Sequence, residues 1–321
     1  MRITTIDIGT NTVLMVIVDL RNDGRIRTLR DEIAFPRLGR GVDESGLISP
    51  ESMDRVISVL KDYRKSSDTS GSEKIIACGT SALRDARNRD EVVTAIRREA
   101  SIDVEVLSGE EEAHWTFLGA LSLEHESLSG STQNHRRFSV IDIGGGSTEI
   151  TLGTRDHVEK RLSLDVGCVR LTERFFQTTP PTSKERQRAK VSVRAALGGL
   201  GDIDPRRYEL IGVAGTMTTL AALDQDLSRF EADKVDGYVL TLERITEIFD
   251  KVRPQTLDQL RSSPVISSGR ADVLLAGILI LIEFMAIYHF DRVTVSSRGL
   301  RYGLVLRELE RMKGTGKRGL V

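Results

Sequence analysis

Two stretches of this chain follow one pattern: an apolar strand ending in Ile-Asp-Ile-Gly, a short turn, and a β-rich run that returns. The first copy is Thr4–Thr12 followed by Val13–Leu20, a turn at Asn22-Asp23-Gly24, and Arg25–Leu29. The second is the strand Phe138–Ile143, a glycine loop, the strand Glu149–Gly153, and a third strand Val158–Leu164. Asp142 minus Asp7 is an offset of 135, and the two hairpins keep nearly that spacing. A supersecondary unit repeated at long period predicts two related halves, and 321 residues suffice for two domains with full cores.

The second loop carries the chemistry most openly. Ile141-Asp142-Ile143-Gly144-Gly145-Gly146-Ser147-Thr148-Glu149-Ile150 runs from a strand carboxylate through three glycines and two hydroxyls to a second carboxylate. Glycines let a backbone close around an anion with its N–H groups turned inward. Ser147 and Thr148 add hydroxyl donors, and Asp142 and Glu149 suit a divalent cation bound through oxygen or water. Carboxylates beside a phosphate repel it, so a metal between them is the simplest reconciliation. The competing reading is a glycine-rich hairpin turn with two solvated acids.

Between the copies, helix and strand alternate. Ser49-Pro50-Glu51 opens a helix through about Arg64, Lys74–Gly79 is a short strand, and Thr80–Arg84 starts another helix. Asp90–Val93 begins a further helix, and Ile102–Leu107 is a strand. In Ser108-Gly109-Glu110-Glu111-Glu112-Ala113, Ser108 and Glu111 have capping-box spacing for a helix to about Leu123, so Glu110 and Glu111 are explained as helix-start acids. Glu124–Arg137 reads as a loop between domains. After the second hairpin come helices at Val169–Phe176 and Ser183–Leu197, then the strand Leu210–Gly215, with Thr216–Ala221 entering a helix. Backbone N–H groups of Gly215 and Thr216 at that helix start suit an anion. Thr241 caps a helix to about Val252, Ser268–Asp272 introduces an apolar helix, and Arg292–Ser296 is the last strand. Ser297–Gly303 leads into a closing helix to about Met312, with Lys313–Arg318 expected to be disordered.

Composition narrows the function classes. A formal net charge of −1 carries no global signature of nucleic-acid or membrane binding, so any polyanion site must be a local basic patch. Cys78 and Cys168 lie outside metal-ligand spacing and read as free, buried thiols in a reducing compartment. The N-terminus enters a strand without a signal-peptide pattern, and the apolar run Val273–Ile287 is broken by Gly277 and Glu283, too short to span a bilayer. These features predict a cytoplasmic protein.

The two Asp-Ile-Gly loops and the Val-Ala-Gly-Thr turn at Val213–Thr216 resemble the actin, sugar kinase and heat-shock chaperone ATPase superfamily. Within it the chain is similar to the exopolyphosphatase and guanosine pentaphosphate phosphohydrolase family, through Asp7–Thr12, Gly79–Arg84, Ser108–Ala113, Asp142–Glu149, Gly167–Glu173, Gly215–Thr219 and Ser297–Gly303. The resemblance implies an α/β fold of two actin-like (ribonuclease H-like) domains, each a mixed five-stranded sheet flanked by helices, with an interdomain cleft. Residues 1–124 plus 301–321 would form one domain and 125–300 the other. It implies hydrolysis of terminal phosphoanhydrides of polyphosphate or guanosine pentaphosphate, with Glu112 as general base for water. Asp142 and Glu149, with Asp7 from the other loop, would hold Mg2+ or Mn2+, and a monovalent cation is a further implied cofactor. Phosphate contacts would come from Thr10, Asn11, Thr12, Arg84, Gly144, Gly145, Gly146, Ser147, Thr148, Gly215, Thr216, Arg298 and Arg301, with Arg87 as a further source of positive charge from the first domain.

Two departures from the family pattern stand out. The turn Ser296-Ser297-Arg298-Gly299 has an arginine where an acid is usual, and Asp165-Val166-Gly167-Cys168 replaces a Pro-Leu-Gly-Ala type. Longer members add a helical C-terminal region, which implies for this chain a weaker grip on long polyphosphate or reliance on a homodimer. Nucleic acid and membrane are not expected partners. A superfamily kinase or ATPase, and a non-catalytic alarmone or polyphosphate sensor, are the competing functions.

Overall fold

A computed structural model describes residues 1–21, 26–122, 136–201 and 203–316. The chain forms two compact units, Met1–Ser122 with Arg298–Val321, and Leu123–Ser297. The turn expected at residues 22–24 and most of the loop expected at 124–137 lie outside the described residues.

The first unit runs β1 (Arg2–Ile8), β2 (Val13–Leu20), β3 (Ile26–Ala34), α1 (Val42–Ser45), α2 (Pro50–Thr69), β4 (Lys74–Gly79), α3 (Ser81–Asp85), α4 (Arg89–Ala100), β5 (Val104–Val106) and α5 (Gly109–Ala120). The second runs β6 (Phe138–Ile143), β7 (Thr148–Gly153), β8 (Val158–Leu164), α6 (Cys168–Phe175), α7 (Ser183–Leu197), β9 (Glu209–Val213), α8 (Ala214–Asp224), α9 (Ala232–Val235), β10 (Val239–Thr241), α10 (Leu242–Val252), α11 (Leu257–Arg261), α12 (Leu274–Ile287) and β11 (Arg292–Val295). The last helix, α13 (Leu300–Gly316), returns to the first unit. It runs past the expected end at Met312, through residues expected to be disordered; residues 317 and 318 lie outside the described residues.

The repeat is visible in sheet order. The first sheet is β3-β2-β1-β4-β5, and the second is β8-β7-β6-β9-β11 with β10 added beyond β11. In each, the opening strand pairs antiparallel with the hairpin and parallel with the next strand. The second sheet therefore has six strands, where five were expected. Three residues are too few to show a period-2 pattern, so β10 is specified by its backbone bonds to β11 rather than by its sequence.

Alternation along β1 gives the first unit a core on each sheet face. Ile6 and Ile8 pack with Leu60, Val92 and Ile96 from α2 and α4. Ile3 packs on the opposite face with Cys78, Leu107, and Leu304 and Val305 of α13. The hydroxyl of Thr5 donates to the Arg301 carbonyl at 2.7 Å, tying β1 to that helix. Helices α5 and α13 approach so closely that a Cβ on Gly303 would overlap the Trp115 carbonyl.

The second unit has one continuous core centred on α12. Glu283, the acid that interrupts this apolar helix, is 1% exposed. Its carboxylate is held by Lys190 at 2.8 Å and by Arg194, both from α7, so the buried charge is paired. Among the described residues no helix is long and apolar enough to cross a membrane. Cys78 and Cys168 are free and buried, and burial pushes both thiols up to about 12.

Candidate active site

Parallel pairing collects the functional turns at strand ends. In the first unit β1, β4 and β5 are parallel neighbours ending near Ile8, Gly79 and Val106. The segments that follow are the Gly9–Thr12 turn, Thr80 with α3, and Leu107 with α5. In the second unit Asp142 of β6 lies beside Val213 of β9, so the glycine loop and the start of α8 share one sheet edge. Carboxyl ends of parallel strands are where α/β sheets bind ligands.

The two loops are alike at the level of single bonds. Gly9 N–H donates to the Thr12 carbonyl at 2.9 Å, and Gly144 N–H to the Ser147 carbonyl at 3.0 Å, each atom displaced by the same 135 residues. In both loops the carbonyls are occupied inside their own unit. Gly39 donates to the Thr10 carbonyl at 2.8 Å and Arg37 to that of Asn11 at 3.2 Å. Cys168 donates to Gly144 at 2.9 Å, Val169 and Arg170 to Gly145 at 2.8 and 3.1 Å, and the Arg170 side chain to Gly146 at 2.8 Å. A loop whose negative dipole ends are buried against α6 presents its N–H side elsewhere, which favours an anion. Gly167 makes this contact fit, because a Cβ there would overlap the Gly145 carbonyl. The Asp165–Cys168 departure therefore keeps the glycine that the loop needs.

The hydroxyls divide into two groups. Thr148 donates its one proton to the Val166 carbonyl at 2.5 Å, so it braces the loop. Thr216 is 4% exposed and its side chain packs against Gly277 of α12. Helix α8 starts without a side-chain cap, and Ala214 at its start has φ of 71°. A non-glycine residue held in the left-handed region marks a locally constrained turn. Ser147 is buried, as are Thr10 and Asn11, while Thr12 is half-buried.

Glu112 stands apart from its acidic neighbours. Glu111 completes the capping box, its carboxylate accepting from Ser108 N–H at 2.9 Å, and Glu110 is exposed. Glu112 is 7% exposed and accepts from Arg84 Nη1 at 2.8 Å. Arg84 Nη1 also donates to the Leu107 carbonyl at 3.2 Å. Desolvation raises the Glu112 carboxyl above the usual glutamate range; the Arg84 charge and hydrogen bond oppose the shift, and Asp85 adds to it. A buried carboxylate with an elevated pKa is a stronger base than a solvated one.

Asp142 and Glu149 are register partners on β6 and β7, so both side chains leave the same face of the sheet. Glu149 is 2% exposed and accepts from Ser163 Oγ of β8 at 2.7 Å. Among the described residues no three His, Cys, Asp or Glu side chains gather into a metal cage within either unit. Two adjacent hard oxygen donors without a full cage fit Mg2+ or Mn2+, which use one or two carboxylates with water and substrate phosphate completing the shell. Asp7 occupies the Asp142 position of the first hairpin, but its register partner is Leu14, so that copy carries one carboxylate.

The remaining arginines separate by their contacts. Arg301 pairs with Asp31 at 2.8 Å and lies 5.1 Å from the Tyr302 ring centroid, and Arg298 lies 5.0 Å from the same centroid. Arg87 donates to the Ser45 carbonyl at 2.9 Å and packs on Gly46, bracing α1. Arg270, which the sequence reading did not single out, lies against Gly215 where a Cβ would overlap its guanidinium, and donates to Thr219 Oγ1 at 3.0 Å. Although part of the residue remains exposed, desolvation of its charged end lowers it to about 10. Its sequence signal was an arginine set at the edge of the longest apolar run.

Residues 16–312 match the model of the Ppx/GppA phosphatase family. Exopolyphosphatase 2 of Mycobacterium tuberculosis is 33% identical over 319 residues, covering 95% of this chain and 98% of that protein. The bifunctional 3-dehydroquinate synthase/phosphatase of Fusobacterium nucleatum is 32% identical over 95% of this chain, which spans only 46% of that longer protein. The solved Aquifex aeolicus member of the Ppx/GppA family superposes with a TM-score of 0.79 at 32% identity, covering 97% of this chain and 98% of the other. The chain belongs to the Ppx/GppA phosphatase family.

Proposed function

We propose that this protein hydrolyses the terminal phosphoanhydride of inorganic polyphosphate, of guanosine pentaphosphate, or of both. The observation that carries the reading is Glu112, a buried carboxylate paired to Arg84 at the strand ends where the first anion loop begins. In this reading Glu112 takes the proton from an attacking water, and phosphate oxygens are bound by N–H groups of residues 10–12 in the first unit and of residues 145–147, Gly215 and Thr216 in the second, the Gly9 and Gly144 N–H groups being used inside their own loops. Arg84 holds Glu112 in place and adds positive charge; Arg270 and Arg298 are further cations for the polyanion. Asp142 and Glu149 would hold Mg2+ or Mn2+, which would supply charge neutralisation for the transferring phosphoryl group when bound, and Asp7 is the corresponding carboxylate that the first unit would offer to a cation. The two free, buried thiols support a cytoplasmic setting.

Phosphate release from long-chain polyphosphate and from guanosine pentaphosphate, with Mg2+, tests this. Glu112→Gln should lower kcat by about 10²–10⁴-fold, the range of general-base contributions. Equal rates in wild type and variant would remove Glu112 from the mechanism, and transfer to an acceptor instead of water would indicate a kinase.

A further inference from the structure

The two hairpins differ at one row of the sheet. In the first unit the row across β1, β2 and β3 is Asp7, Leu14 and Ile33. In the second the row across β6, β7 and β8 is Asp142, Glu149 and Ser163. Two neighbouring apolar residues in one copy thus correspond to a carboxylate and a hydroxyl in the other. Glutamate at such a row is costly without a donor, because its charge leaves water, and Ser163 Oγ supplies one at 2.7 Å to Oε1. That length is typical of a charge-assisted hydroxyl–carboxylate bond. Glu149 has three side-chain torsions, and anchoring Oε1 on β8 restricts the rotamers open to the carboxylate on the row it shares with Asp142.

We infer that Ser163 is a positioning residue for the cation site of this phosphatase: its hydroxyl orients Glu149 toward the divalent metal that Asp142 and Glu149 share. The inference rests on the reading of Glu149 as a cation ligand. Hydrogen-bond partners of metal ligands change affinity about 10–100-fold when removed. Ser163 is half-buried and small, so the alanine variant leaves no large cavity.

The test titrates Mn2+ in the presence of inorganic phosphate and follows free Mn2+ by electron paramagnetic resonance, alongside thermal unfolding. Ser163→Ala should weaken Mn2+ binding by about tenfold, Ser163→Thr should keep it within about threefold, and both should melt near wild type. Glu149→Gln should abolish binding. If Ser163→Ala binds Mn2+ like wild type while Glu149→Gln does not, Ser163 has no positioning role. Equal weakening in Ser163→Ala and Ser163→Thr, or a lowered melting temperature with unchanged affinity, overturns it equally. If Glu149→Gln binds as wild type does, or wild type binds no Mn2+, the reading of Glu149 itself falls.

Discussion

Of three consecutive acids at the start of α5, Glu111 caps the helix, Glu110 is exposed, and Glu112 alone is buried. Glu111 closes the capping box and is held below the ordinary glutamate range by its bonds to Ser108, whereas burial raises Glu112. A base acts only when deprotonated, so kcat/KM should rise with pH through the elevated Glu112 value. Arg84 opposes that elevation, so Arg84→Ala should move the acidic limb of the pH profile to higher pH; a limb that stays in place would show that another group sets it. The stability effect has the opposite sense. The folded state binds the Glu112 proton more tightly than the unfolded chain, so stability should fall as pH rises from the ordinary glutamate value through the raised one. Denaturant unfolding across that window should show the decline in wild type and lose it in Glu112→Gln.

At the scale of elements, the glycine loop works because α6 holds it from behind. Its four-residue turn is tied by N–H donors of Cys168, Val169 and Arg170, and Gly167 is where the two backbones nearly touch. Gly167→Ala should cost about 1–3 kcal/mol, as overpacked sites do, and should reduce activity out of proportion to that loss because the loop must shift. Chemical denaturation and steady-state kinetics on the same variant separate the two effects. Much at this scale was legible in the sequence. The capping residues Ser49, Ser108 and Thr241 and the Asp-Ile-Gly hairpins all occur where residue chemistry dictates local geometry. The Thr256–Gln259 capping box of α11 was equally legible and was missed. Strand β10 was not, since its pairing comes from β11 rather than from its own three residues.

At the scale of the molecule, the first unit depends on residues from both ends of the chain. Leu300, Leu304 and Val305 are at most 3% exposed in its core, and burying each contributes about 1.5–3 kcal/mol. Deleting residues 298–321 removes that face and should leave the protein unable to fold to a soluble, cooperative state, as measured by circular dichroism and gel filtration. The second unit, Leu123–Ser297, is continuous in sequence and has a single core, so by itself it should melt cooperatively. Net charge near neutrality means that attraction to a polyanion depends on local arginines. Polyphosphate binding should therefore weaken steeply with ionic strength through counterion release, and a flat response would place those arginines outside the site.

The sequence by itself determined the repeat, the two loops, and the residue types from which the site is proposed, because glycine spacing, strand alternation and helix caps act over a few residues. Tertiary structure decided which of those side chains serve the scaffold. Thr148 and Thr216 face packing partners, Arg87 and Arg301 bond within the first unit, and Arg270 and Ser163 join groups far from them in sequence. A side chain's hydrogen-bond partners are fixed by sheet register and helix packing, which are long-range properties that no short motif encodes.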